Sequence, residues 1–126
     1  MTTETGWPRI AVVGAGAVGG YFGGMLAAAG APVTMIGRQG FADAVRAKGL
    51  FLDTLHFQKS VTVEAATELG AVQGADLVLF CVKSTDNAAA ARGIAPHLAP
   101  GAVVISMQNG VDNVEQIREA ARNAMA

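Results

Sequence analysis

Only one cysteine, Cys81, occurs in the chain, so no disulfide can form within it. A reducing compartment is expected, and with it a cytoplasmic location. Histidine is nearly as sparse: His56 and His97 are the only two, and neither stands with Cys81 at a metal-ligand spacing. No structural zinc site is expected. Charged residues make up 15% of the chain and the net charge is −1. A nucleic-acid-binding surface would need a basic excess that this balance lacks. Disorder is excluded from the opposite side, because hydrophobic residues reach 52%. The longest absence is of charge from Ile10 to Gly37. Such a run raises a transmembrane helix, with Gly16/Gly20 or Gly19/Gly23 as small-residue packing pairs. Three features argue against it: the density of Gly and Ala, Pro32 inside the run, and the β-branched residues near its end. Glu4 stands where a signal peptide would be basic. Neither a membrane span nor a signal peptide is expected.

What is present alternates. The 126 residues suit one domain, 1–126. Met1 to Pro8 reads as a frayed leader. "RIAVVG" is continuously apolar, as a parallel strand covered on both faces would be. Ala17 to Ala29 predicts a helix, with Val18, Phe22, Met25, Leu26 and Ala29 at helical spacing and Gly30 as its stop. "PVTMIG" predicts a second strand, and Phe41 to Lys48 a short helix ended by Gly49. "LFLDTLHF" and "KSVTV" alternate and are separated by Gln58 and its neighbours, which suits an antiparallel arm. Glu64 to Gln73 reads as a helical or irregular link. "ADLVLFCVK" is another apolar strand, Thr85 to Arg92 a helix with Asp86 near its start, and "AVVISMQ" a further strand. Asp112 or Asn113 is placed to cap a last helix. This alternation predicts an α/β fold: a doubly wound, mainly parallel sheet with helices on both faces.

"VVGAGAVGG" contains Gly14-x-Gly16-x-x-Gly19, between a predicted strand and a predicted helix. That context is what a dinucleotide-binding loop requires. Gly14 permits the tight turn, Gly16 leaves room for a pyrophosphate, and Gly19 lets the helix approach the strand. Ala17 and Val18 open the helix, whose first N–H groups and partial positive charge favour phosphate. NAD-binding chains place an acid after the second strand to receive the ribose 2′-OH. This chain places Arg38 there, in "MIGRQG". The planar donors of arginine suit a 2′-phosphate, so the expected cofactor is NADP(H). Arg46 and Lys48 lie close by, and the exposed face of a helix accounts for both.

Two more stretches put polar groups at strand ends, where open α/β sheets bind ligands. "CVKSTD" places Lys83 after one strand and "SMQNGVDN" places Asn109 and Gly110 after another. Each also has a plainer account, a lysine reaching water and an Asn-Gly turn. Taken together, "IAVVGAGAVGGYFGGMLAAAG", Arg38, "AVRAKGL", "LVLFCVKSTD" and "QNGVDN" make a sequence that resembles the ketopantoate reductase (2-dehydropantoate 2-reductase) family.

The resemblance implies a Rossmann-type domain of an oxidoreductase. Its expected activity is NADPH-dependent reduction of a small 2-oxo acid, ketopantoate, in pantothenate biosynthesis. It implies that Arg38 binds the 2′-phosphate, and that Lys83 and Asn109 lie at the cleft between cofactor and substrate. Asp86 stands where some members carry glutamine, which leaves its role open. Members of the family also carry a C-terminal helical domain with the main catalytic lysine and a substrate-binding glutamate. The chain is therefore expected to be the first domain alone, either a truncated piece or a standalone relative. It would bind cofactor, turn over slowly or not at all, and self-associate through the face the second domain covers. Two other classes remain: a stand-alone nucleotide-sensing module, and a related 2-oxo or 3-hydroxy acid dehydrogenase domain. Sensor modules usually keep an acid after the second strand, and they have no use for "VKS" and "QNG".

Overall fold

Three of the continuous apolar runs, at 10–13, 33–36 and 77–80, become the buried middle of a parallel sheet, and the fourth, 103–106, lies at its edge among the described residues with Val103 and Ile105 exposed. In the computed structural model, which describes residues 6–53, 57–82 and 87–107 (the side chains of Ala17 and Asn87 excepted), the elements follow in order. They are β1 (Ile10–Val13), α1 (Ala17–Ala28), β2 (Val33–Ile36), α2 (Gln39–Lys48), β3 (Leu50–Asp53), β4 (Gln58–Val61) and β5 (Glu64–Ala66). A 3₁₀ turn (Leu69–Val72), β6 (Leu77–Phe80), α3 (Asn87–Ile94), a second 3₁₀ turn (Ala95–His97) and β7 (Val103–Ser106) complete them. Five strands form one sheet in the order β5-β2-β1-β6-β7, and every pairing in it is parallel. The chain winds outward from β1 first one way and then the other, which is the doubly wound, Rossmann-type arrangement.

Alternation along the strands divides the core in two. Ala11, Val13, Val78 and Phe80 face one side, where Ala90, Ala91 and Ile94 of α3 cover them. Ile10, Val12 and Leu79 face the other, packed with Met35 of β2 and with Leu26 and Ala27 of α1. Asp76 ties two strand starts together: its carboxylate accepts the Arg9 N–H at 3.0 Å, and this holds the acid below its ordinary range. β3 and β4 form the expected antiparallel arm, but Gln58 belongs to β4, paired with Asp53, rather than to the connection. The arm rests on α1, where a Cβ at Gly24 would lie 2.5 Å from Leu52.

Several expectations change. Residues 64–73 are not simply a link. They hold a strand, β5, whose Thr34↔Glu64 to Ile36↔Ala66 register extends the sheet past β2, followed by a 3₁₀ turn. Helix α2 begins at Gln39 rather than Phe41, because Gln39 Nε2 donates to the Asp43 carboxylate across the first turn at 2.7 Å. Trp7 is no part of a frayed leader; it packs against the α1-side core. The apolar spacing of α1 identified the helix and the inward Leu26, but not the rest of its buried face. Val18 and Phe22 are exposed with Tyr21, and the sheet is met instead by Gly19 and Gly23. Arg46 does more than decorate an exposed face: Nη2 donates to the Ala65 carbonyl at 2.8 Å, covering the open edge of β5. The predicted last helix, capped at Asp112 or Asn113, lies outside the described residues, as do Thr85 and Asp86.

Candidate functional site

The ladder continues one step beyond each strand and sets the floor of the site. Gly14 N–H donates to the Ile36 carbonyl at 3.0 Å, Gly37 to Ala66 at 3.0 Å, Cys81 to Val13 at 2.8 Å and Met107 to Phe80 at 3.0 Å. The carboxyl ends of β5, β2, β1, β6 and β7 are thereby aligned. A cavity of about 430 Å³ opens over the first four of these ends. β1 contributes Val13 and the glycine loop, Gly14 to Gly16; β2 contributes Ile36, Gly37 and Arg38, with Phe41 from α2. Thr67 and Leu69 follow β5, and Cys81 and Val82 follow β6. A smaller cleft of about 270 Å³, with Arg9, Thr34, Glu64 and Gln73 in its walls, lies at the opposite ends of the strands. Ligands of open α/β sheets bind at the carboxyl ends, which favours the larger cavity.

The glycines of the loop have different surroundings. Gly14 has a φ of +99°, and a Cβ there would lie 2.8 Å from the Cys81 and Val82 backbone. Only glycine fits that turn against that neighbour. Gly16 is the N-cap of α1, and a Cβ on it would meet nothing within 4 Å. Its missing side chain leaves open space at the cavity wall. No side chain caps the first N–H groups of α1, which begins at Ala17. These groups and that space fit a pyrophosphate, because helix amino termini favour anions. Gly19 is buried, and its Cβ would collide with the Gly14 carbonyl oxygen and lie 3.2 Å from Val12. It supports the loop from behind. Val18 is 46% exposed on the outward face of α1 and does not line the cavity.

Arg38 is exposed at the cavity wall, with extended backbone, as the N-cap of α2. A guanidinium at that point can meet an anion beyond the end of β2 by paired hydrogen bonds. Gly37 permits the neighbouring contact: a Cβ there would come within 2.8 Å of the Phe41 ring and 3.0 Å of Ala15. Cys81 is half-buried, and loss of water pushes its thiol up to about 11. The neutral thiol is a packing group at neutral pH rather than a nucleophile. His97 is exposed on the second 3₁₀ turn, away from this cavity. Lys83 and Asn109, the two cleft residues implied by resemblance, lie outside the described residues, as does His56. The chain reaches them directly after Val82 and shortly after Met107, both at carboxyl ends of strands.

Phe41, Thr67, Leu69 and Val82 were not singled out by the sequence. The first could have been found as an aromatic three residues past Arg38. Thr67 and Leu69 depend on β5, which carries no long apolar run.

No helix among the described residues is long and apolar enough to cross a membrane. The sequence matches the ketopantoate reductase PanE/ApbA family over residues 10–126. Among solved structures, the PanE/ApbA family ketopantoate reductase from Ralstonia eutropha JMP134 is 52% identical. The likeness has a TM-score of 0.86 and covers 88% of this chain and 37% of that one. The 2-dehydropantoate 2-reductase of Pyrococcus abyssi is 37% identical over 93% of this chain and 38% of its own length. A glycerol-3-phosphate dehydrogenase (NAD(P)+) of Rhizobium etli is 37% identical over 82% of this chain and 33% of its own. The chain thus spans less than two-fifths of the length of these relatives. With the glycine loop, the strand order and a family match across nearly all its residues, this chain belongs to the ketopantoate reductase PanE/ApbA family.

Proposed function

We propose that the chain is the NADP(H)-binding domain of a cytoplasmic 2-oxo acid reductase, acting in the whole protein on ketopantoate to give pantoate. One observation carries this reading: Arg38 and the glycine loop Gly14–Gly16 line the same cavity at the carboxyl ends of parallel strands. The loop suits the pyrophosphate, and Arg38 suits the 2′-phosphate that separates NADP from NAD. NADPH, when bound, supplies the hydride. What the protein must add is position, a charge to stabilise the oxyanion that develops on the substrate, and a proton. Lys83 is the proposed positive charge and Asn109 a proposed hydrogen-bonding group on the substrate side. The main acid is proposed to lie in the part of the relatives that this chain does not match. The 126-residue chain alone therefore binds cofactor and reduces ketopantoate very slowly or not at all.

The test is a titration with NADPH and NADH, on wild type and Arg38→Ala. A charge-assisted contact is worth about 1.5–3 kcal/mol, so NADPH affinity should fall about 10- to 150-fold. NADH affinity should stay level. Equal weakening of both would remove Arg38 from the phosphate site. The relationship to glycerol-3-phosphate dehydrogenase supports a second reading, a dehydrogenase domain for another small hydroxy compound. The nucleotide site would be the same, and the substrate would be decided by the rest of the protein.

A further inference from the structure

We propose that Thr67 reads the base of the bound nucleotide, its hydroxyl accepting a hydrogen bond from the 6-amino group of adenine. The inference rests on the nucleotide reading of the cavity and adds a residue to it. The glycine loop after β1 and Arg38 after β2, which suit phosphates, form part of the cavity wall. The remaining walls, Ile36, Phe41 and Leu69, are apolar. Apolar walls suit a flat heteroaromatic ring and repel a charged group. A base placed there turns the hydrogen-bonding groups of its edge toward the cavity wall, and a side-chain acceptor that meets one of them adds affinity. Among the lining residues Thr67 alone carries a hydroxyl.

The sheet fixes its place. Ile36 pairs with Ala66 in the parallel register, and Gly37 N–H donates to the Ala66 carbonyl at 3.0 Å. Thr67 is therefore the lateral neighbour of Gly37 at the adjoining strand end, about 4.8 Å across the sheet. It is exposed, and it faces the cavity from the side opposite the glycine loop, since β2 lies between β5 and β1. Leu69 is the adjacent apolar wall, but it also packs where a Cβ on Gly93 of α3 would collide with it. Changing Leu69 would disturb that packing, so Thr67 is the residue to test.

The experiment is calorimetric titration of the full chain with 2′,5′-ADP and with its analogue bearing purine, without the 6-amino group. Thr67→Val keeps the β-branched shape and removes the hydroxyl; Thr67→Ser keeps the hydroxyl. Wild type should prefer the adenine compound about three- to tenfold, the range of one neutral hydrogen bond. Thr67→Val should bind both compounds equally, at the wild-type affinity for the purine analogue, and Thr67→Ser should restore the preference. A preference that survives in Thr67→Val, or that is absent from wild type, overturns the proposal. NADPH and NADH are titrated in parallel. If wild type binds neither, the nucleotide reading itself fails, and the role of Thr67 fails with it. If NADPH binds tightly and the base preference survives in Thr67→Val, only the role of Thr67 is lost.

Discussion

Three glycines on one helix should respond to alanine with different signs. In a helix interior, alanine is favoured over glycine by about 0.5–1 kcal/mol. At Gly20 a Cβ meets nothing within 4 Å, so Gly20→Ala should gain that amount. For a domain of this size the melting temperature should rise by about 2–5 °C. At Gly23 a Cβ collides with the Met35 sulfur and lies 3.1 Å from Val12; both neighbours are fully buried. Met35 can turn, but only by repacking the core, so Gly23→Ala should lose about 1 kcal/mol net. At Gly19 the obstacle is the carbonyl oxygen of Gly14, which cannot rotate away without carrying the loop with it. Overpacking costs about 1–3 kcal/mol, and a backbone obstacle puts Gly19→Ala near the upper end, leaving about 2 kcal/mol of net loss. Gly19→Ala should also weaken NADPH binding, because the shifted atom belongs to the loop. Gly20→Ala should bind as wild type does. Urea denaturation of the three variants, with cofactor titration of each, measures both effects. If Gly19→Ala proves as stable as Gly20→Ala, α1 does not sit against the loop as described.

Arg46→Met removes the guanidinium that covers the Ala65 carbonyl at 2.8 Å. It should cost about 0.5–1 kcal/mol, since the pair is exposed, and should speed exchange of the Gly37 amide that bonds to β5. Unchanged exchange would mean that β5 is held by other contacts. The Cys81 thiol, held near 11 by burial, should resist alkylation at pH 7.5 and become reactive as the pH passes 9 toward 11. Its folded value lies above the ordinary 9.0, so the folded state keeps the proton longer. The stability this contributes is complete below pH 9 and is lost as pH rises toward 11. Fast alkylation of the native chain at pH 7.5 would contradict the burial. The outward Val18, Tyr21 and Phe22 of α1 should drive concentration-dependent association, reduced by Phe22→Asp and read by sedimentation velocity. A wild-type monomer at every concentration would count against this.

The features legible in the sequence are those whose signal is local. β1, β2 and β6 announce themselves as apolar runs because each sits inside a parallel sheet, whereas β7 is as apolar although it is the other edge among the described residues, with Val103 and Ile105 exposed. The arm is legible from alternation. β5 is not: Glu64, Ala65 and Ala66 form a three-residue edge strand with one side in solvent, so no apolar run is required of it. Its stability comes from β2 and Arg46, at a distance in sequence. The stripe of α1 misleads for a different reason. Apolar periodicity predicts burial, but a helix that must lie close to a sheet turns its smallest residues inward. Gly19 and Gly23 do so here, and that leaves Val18 and Phe22 outside.

The same division runs through the candidate site. Gly14, Gly16 and Arg38 belong to one β1–α1–β2 unit, so their spacing alone suggests a loop for phosphates and an arginine for a 2′-phosphate. The residues that complete the cavity arrive by register. Thr67 comes because β5 pairs with β2, and Cys81 and Val82 come because β6 pairs with β1. The proposed cofactor choice thus rests on a segment short enough to read, whereas the proposed seat of the base depends on which strands become neighbours. A substitution that loosens β5 without touching the cavity, such as Arg46→Met, should therefore weaken NADPH and NADH alike. Arg38→Ala should separate them. Measuring that ratio in both variants distinguishes the part of the site built by sequence-local geometry from the part built by the sheet.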